Sequence, residues 1–226
     1  QYGVMRLPSL HPRKLIVAAL AACTGLGPAA LTAHPHIFVD AGLALVIEEG
    51  RVTSVEVTWL YDELYSLILM EDYDLDPDFD LALTEEEVAR TLGFDLDWSY
   101  GFEGGLVMQR DGVELTLGAP EPVSLELVGE GQLRTTHRRP VVDEGGAAPL
   151  VAQIFDPEFY VAFEMTGDMS VIGAQCETTL VRADLDAAYV GLEEAMDAIG
   201  GAVAAEDNFP AVGALFADRV AFECAP

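Results

Sequence analysis

The stretch HPHIFVD, residues 34–40, sets two of the chain's four histidines on either side of one proline. In an extended strand alternate residues share a face. His34, His36, Phe38 and Asp40 then fall on one side, and Ile37 and Val39 on the other. Imidazole suits Zn, Ni, Cu and Co, so two imidazoles two residues apart, with a carboxylate on the same side, make a candidate site for such an ion. Pro35 has no amide proton, which blocks the square-planar mode that needs deprotonated amides at both the second and third positions. His137, in LRTTHRRP, is the third histidine on offer, although Arg138 and Arg139 beside it oppose a cation unless they point away. The plainer reading of His137 is a strand histidine at the surface.

A second constellation is acidic. In DYDLDPDFDLALTEEE, an EF-hand alignment puts Asp74, Asp76 and Asp78 at positions one, three and five, with Asp80 next in the series. Glu85 falls at position twelve, where a bidentate glutamate belongs. Oxygen donors of this kind favour Ca over soft metals. Position six is Phe79 rather than the glycine the sharp turn calls for, and position four is Pro77. The competing reading is a hydrated acidic linker ending in a helix cap.

Cys176 and Cys224 form the third pair. Once Cys23 leaves with a leader, an even pair of cysteines in an exported protein points to a disulfide, which would tie the closing RVAFEC to the strand holding Cys176. Closing that loop contributes about 4 kcal/mol on chain-entropy grounds. Two separate buried thiols are the alternative.

These groups need elements to hold them. HIFVDAGLALVIEE and RVTSVEVTWLY read as a hairpin turning at Glu49-Gly50. DELYSLILMEDY follows with Leu64, Leu67 and Ile68 at helical spacing. A second helix is expected from Thr84 to about Leu92, opened by a Thr84–Glu87 capping box. From about Leu96 to Arg182 the pattern is β, with a turn at Arg110-Asp111-Gly112. LDAAYVGLEEAMDAI suits an amphipathic helix ended by Gly200-Gly201, and a shorter helix is expected around Phe209 to Ala217. The fold class is α+β: a single β-rich antiparallel domain with an early helix-loop-helix insertion and a helical C-terminal segment.

Arg6, Arg13 and Lys14 precede an uncharged stretch, residues 15–33, that relaxes into small residues after Gly25, Gly27 and Pro28. This is the layout of a secretory signal peptide over residues 1–33, with a periplasmic domain over 34–226 and no membrane span after processing. Cleavage after Ala33 would make His34 the new N-terminus. The rival is Leu20-Ala21-Ala22-Cys23, similar to a lipobox, which would anchor the chain as a lipoprotein at Cys23. Formal charge is −28, and removal of the leader takes it to about −31 with no lysine left. Nucleic acid is excluded as a partner, because phosphate binding needs a basic face. No nucleophile elbow, GxGxxG, P-loop or His-Glu-x-x-His occurs, so hydrolase, kinase and dinucleotide readings have no support and a non-enzymatic protein is expected.

With HPHIFVD, WLYDELYS, the acidic loop, IFDPEFYVAFE and ADRVAFEC in order, the chain resembles the bacterial periplasmic family called domain of unknown function 1007, over about residues 34–224. That resemblance implies an accessory role in transition-metal handling beside an inner-membrane permease of the nickel/cobalt type, with no established reaction and no ligand list. The free amine and ring of His34, joined by His36, also resemble in one local feature the histidine brace of copper monooxygenases and some copper carriers. A copper oxidase is thus the enzymatic alternative, and a docking module without metal function is the structural one.

Overall fold

The computed structural model describes residues 35–96, 104–143, 145–146, 149–201 and 209–224. The signal peptide expected over residues 1–33, Cys23 and His34 lie outside the described residues.

The hairpin forms where the alternation of apolar residues places it. Strand β1 (Ile37–Glu48) pairs antiparallel with β2 (Arg51–Tyr61). Glu49 and Gly50 both take positive φ, 51° and 76°, in the two-residue turn whose twist matches the strands it joins. Val39, Ala41, Leu43 and Leu45 of β1, with Val55, Val57 and Trp59 of β2, turn inward and are buried. Each valine and leucine among them contributes about 1.5–3 kcal/mol by leaving water.

Two sheets share this core. In the first, β5 (Glu121–Val128), β6 (Gln132–Pro140), β2 and β1 lie side by side in that order. The far edge of β1 is covered in parallel by β8 (Val161–Glu164) and then β9 (Met169–Ile172). The chain bulges between them, where Gly167 N donates to Ala41 O at 3.1 Å and Asp168 O accepts from Leu43 N at 2.9 Å. A Cβ on Gly167 would sit 2.9 Å from the Gly42 Cα, so this approach needs glycine. The second sheet runs β10 (Cys176–Val181), β11 (Arg219–Cys224), β7 (Leu150–Ile154), β3 (Leu106–Arg110) and β4 (Val113–Glu114). Its Met108, Leu150, Ile154, Val220 and Phe222 join the apolar cluster of the first sheet. Cys176 and Cys224 stand opposite each other on β10 and β11 and are disulfide-bonded, with Cα atoms 3.9 Å apart.

The helical insertion comprises α1 (Glu63–Asp72) and α2 (Glu85–Thr91). Asp62 caps α1 by accepting from Tyr65 N, and Thr84 and Glu87 form the full capping box of α2. Helix α1 departs from what its spacing suggests: Leu64, Leu67 and Ile68 are exposed, while Ser66 and Leu69 face the sheet. The Ser66 hydroxyl explains the rotation, since it donates to Tyr61 O (3.3 Å) and accepts from Leu133 N (3.0 Å). Helix α3 (Leu185–Ile199) ends at Gly200, in the left-handed conformation expected of a C-terminal glycine. It packs Ala188 with Phe159, Val212 and Phe216 in a smaller second core. The helix expected over Phe209 to Ala217 is one 3-10 turn, Gly213–Leu215. Among the described residues no helix is long and apolar enough to cross a membrane.

Candidate functional site

The head of β1 is fixed from two sides. His36 N donates to Tyr160 O at 2.9 Å, just before β8 begins its parallel pairing at Ile37 and Val161. On the other side Phe38 N donates to Asp62 Oδ2 at 2.9 Å, and Asp62 N donates to Phe38 O at 3.0 Å. Asp62 Oδ1 takes Tyr65 N, so one carboxylate joins the start of α1 to the start of β1. The faces divide as the alternation requires: Val39 is buried, Ile37 half-buried, and His36, Phe38 and Asp40 exposed. The His36 ring lies beside Tyr160, centroids 4.7 Å apart.

Of the two expected imidazoles, that of His36 stands exposed just before β1, and His34 lies outside the described residues. Asp40 does not join His36. It shares the face but lies about 13 Å further along at strand rise, beyond what an imidazole and a carboxylate span across one metal. Asp40 instead lines a groove of about 520 Å³ with Phe38, Glu164, Tyr189 and Phe216, where Arg182 bridges Glu164 (3.2 Å) and Asp218 (2.8 Å).

His137 is also set apart from His36. In β6 the inward positions are Leu133, Thr135, His137 and Arg139, and His137 is 1% exposed. Its ring meets Trp59 edge-on at 4.8 Å between centroids. Burial, aided by the Arg139 guanidinium, pulls its pKa down to about 4, so it is a neutral core residue near pH 7. His36 faces outward from the same sheet. His36 and His137 are therefore not brought together, one ring exposed and the other in the core, and His34 lies outside the described residues. Arg138, by contrast, points out and pairs with Glu56 at 2.6 Å.

The acidic loop keeps part of its expected arrangement. One carboxylate oxygen from each of Asp76, Asp78 and Asp80 lies within 4.8 Å of the others; Asp74 and Glu85 are not in this group. Phe79 takes φ 57° and is 85% exposed, supplying the left-handed turn that glycine gives in an EF-hand. The loop is held by its own hydrogen bonds. Asp76 Oδ1 and Oδ2 accept from Asp80 N (2.9 Å) and Leu81 N (3.1 Å). The glutamate that returns to the loop is Glu87, not Glu85: Oε1 accepts from Asp76 N and Oε2 from Thr84 N, both at 2.7 Å. The Thr84 hydrogen bonds hold the Glu87 carboxyl below its ordinary pKa. Arg90 closes the loop from below, donating to the carbonyls of Tyr73 and Asp74.

Sequence reasoning missed two groups that the fold brings together. Tyr160 reads as an edge aromatic, and only the parallel pairing of β8 on β1 brings it to His36. Asp95 sits outside any motif, yet its Oδ2 accepts from Tyr61 Oη (3.0 Å) and Thr135 Oγ1 (2.6 Å). No local signal marks it.

Two largely antiparallel sheets on a common core, with three helices among the described residues, define an α+β protein. The chain belongs to the family described as protein of unknown function (DUF1007), whose model matches residues 19–224. No curated protein matches it.

Proposed function

We propose that the protein is an exported, non-enzymatic accessory of transition-metal transport. It takes a divalent Ni, Co, Zn or Cu ion at His34-Pro35-His36 and works beside an inner-membrane permease of the nickel/cobalt type. The observation that carries the reading is the position of His36: exposed on the outer face of β1, with the backbone on both sides of it pinned by Tyr160 and Asp62. A backbone held in this way fixes the His36 ligand in advance, which lowers the ordering cost of closing a chelate. Cleavage after Ala33 adds the His34 amine as a third nitrogen. The Cys176–Cys224 disulfide supports an oxidising compartment such as the periplasm. The charge of −28 raises the local concentration of cations around the exposed ligands.

Equilibrium titration of Ni, Co, Zn and Cu into the processed protein tests this. Replacing His34→Ala and His36→Ala together is expected to weaken the tightest site at least about tenfold, a loss of 1.4 kcal/mol or more. Unchanged affinity for all four metals overturns the site.

A further inference from the structure

A cavity of about 240 Å³ opens where helix α1 meets the inner face of the first sheet, and its wall is largely aromatic. Trp59 and Tyr61 come from β2, Tyr65 from α1, Tyr73 from its C-terminal cap and Phe94 from the 3-10 turn Phe94–Leu96. The rings are tilted against one another rather than stacked. Tyr61 lies 5.5 Å from Tyr65 at 54° and 6.3 Å from Phe94 at 42°; Tyr73 lies 5.1 Å from Phe94 at 52°. Trp59 meets Tyr61 edge-on at 6.4 Å and 78°. At these separations the rings pack against one another, and in several planes they line one side of the cavity.

Asp95 brings a carboxylate to this wall, aimed by the hydrogen bonds from Tyr61 and Thr135. Burial raises its pKa, and a cation beside it would favour the charged form of the carboxylate.

We propose that this aromatic box with Asp95 binds a small organic cation of the methylated-ammonium class. The chemistry selects that class. Aromatic faces attract cations whose charge is spread over methyl groups, and quaternary ammonium groups are the ligands such cages recognise. A metal ion does not fit, because one carboxylate among rings cannot complete a shell of four to six donors. The volume falls below the 300 Å³ or so at which pockets for drug-sized ligands begin, which limits the ligand to little more than the ammonium head and a short arm. Half-buried Tyr65, Tyr73 and Phe94 form the mouth, and the acidic loop begins one residue beyond Tyr73.

Calorimetric titration of choline into the processed protein, set beside its neutral isostere 3,3-dimethylbutan-1-ol, tests the proposal. Choline is expected to bind about tenfold more tightly than the isostere, the difference a cage and a carboxylate make for charge at equal shape. Asp95→Asn and Tyr73→Leu are each expected to weaken choline by about fivefold or more, while His34→Ala with His36→Ala leaves it unchanged. Absence of any choline heat, or equal binding of choline and the isostere, overturns the proposal. The isostere comparison uses the unaltered chain, so it decides the matter even if a variant fails to fold. The metal titration reads a different site, so either proposal can fail without the other.

Discussion

His36, just before β1, and His137, in β6 two strands away in the same sheet as β1, have opposite chemistry. His36 is exposed, with its ring beside Tyr160. His137 points the other way, against Trp59 in the core, with its pKa pulled down to about 4. A metal at an exposed ring brings no ion into the core. A ring packed at 1% exposure contributes shape, and charging it there means bringing an ion into the core. Which face a histidine occupies decides whether it is a ligand or a packing residue.

The sharpest way to break this contrast is to delete each ring in turn. His137→Ala removes a core side chain and is expected to cost about 3 kcal/mol in denaturant unfolding while leaving metal affinity within about twofold. His36→Ala is expected to stay within about 0.5 kcal/mol of the parent in stability and to lose the metal. Equal destabilisation by the two, or loss of metal with His137→Ala, would undo the assignment of faces.

Protonation separates the two residues next. The unfolded chain takes a proton on His137 near pH 6.5, whereas the folded chain resists it down to about 4. Between those values the unfolded state holds more protons, so stability falls as pH drops. His137 alone is expected to remove about 2 kcal/mol between pH 7 and pH 5. Asp95, its pKa raised by burial, works in the opposite direction and gains protons on folding. The measurement is therefore the difference between the parent and His137→Leu, both unfolded at the two pH values. Parallel pH dependences would show that the ring is not held neutral in the core.

The smallest expected effect lies away from both histidines. Phe79 holds φ 57° in the acidic loop while 85% exposed, so it carries left-handed strain with little packing in return. Phe79→Gly is expected to raise stability by about 0.5–1 kcal/mol in thermal unfolding and to leave metal binding at His36 untouched. A loss of stability would mean that the Phe79 ring does more than fill a turn.

Much of the architecture could be read from local rules. Glu49-Gly50, Asp111-Gly112, Thr84 with Glu87, and Gly200 each carry a turn or cap whose residue type follows from the backbone it must adopt. The outer face of β1 was legible too, because Ile37 and Val39 are apolar against His36 and Asp40. QLRTTHRRP gave no such contrast: both of its faces carry polar residues, and only Leu133 sets the parity that turns His137 inward. Asp40 was placed on the correct face, but alternation says nothing about distance along it. The acidic loop was misread at one point of reach. Glu85 holds the expected spacing, yet the capping box turns Glu87 back to the loop, and the two carboxylates of the box and of Asp76 take up backbone amides instead. The aromatic box draws on β2, α1 and the separate turn Phe94–Leu96, a contact set by tertiary packing rather than by local sequence.

The central claim is that a transition metal is held at the outward head of β1 and nowhere deeper. Paramagnetic broadening of backbone amide signals, on adding substoichiometric Cu(II) to the processed protein, tests it directly. The account predicts broadening centred on His36, spreading to Ile37, Tyr160 and Val161, with the amides around Trp59, His137 and Asp76–Asp80 left sharp. Broadening centred on His137 or on the acidic loop, or none at all, would contradict it.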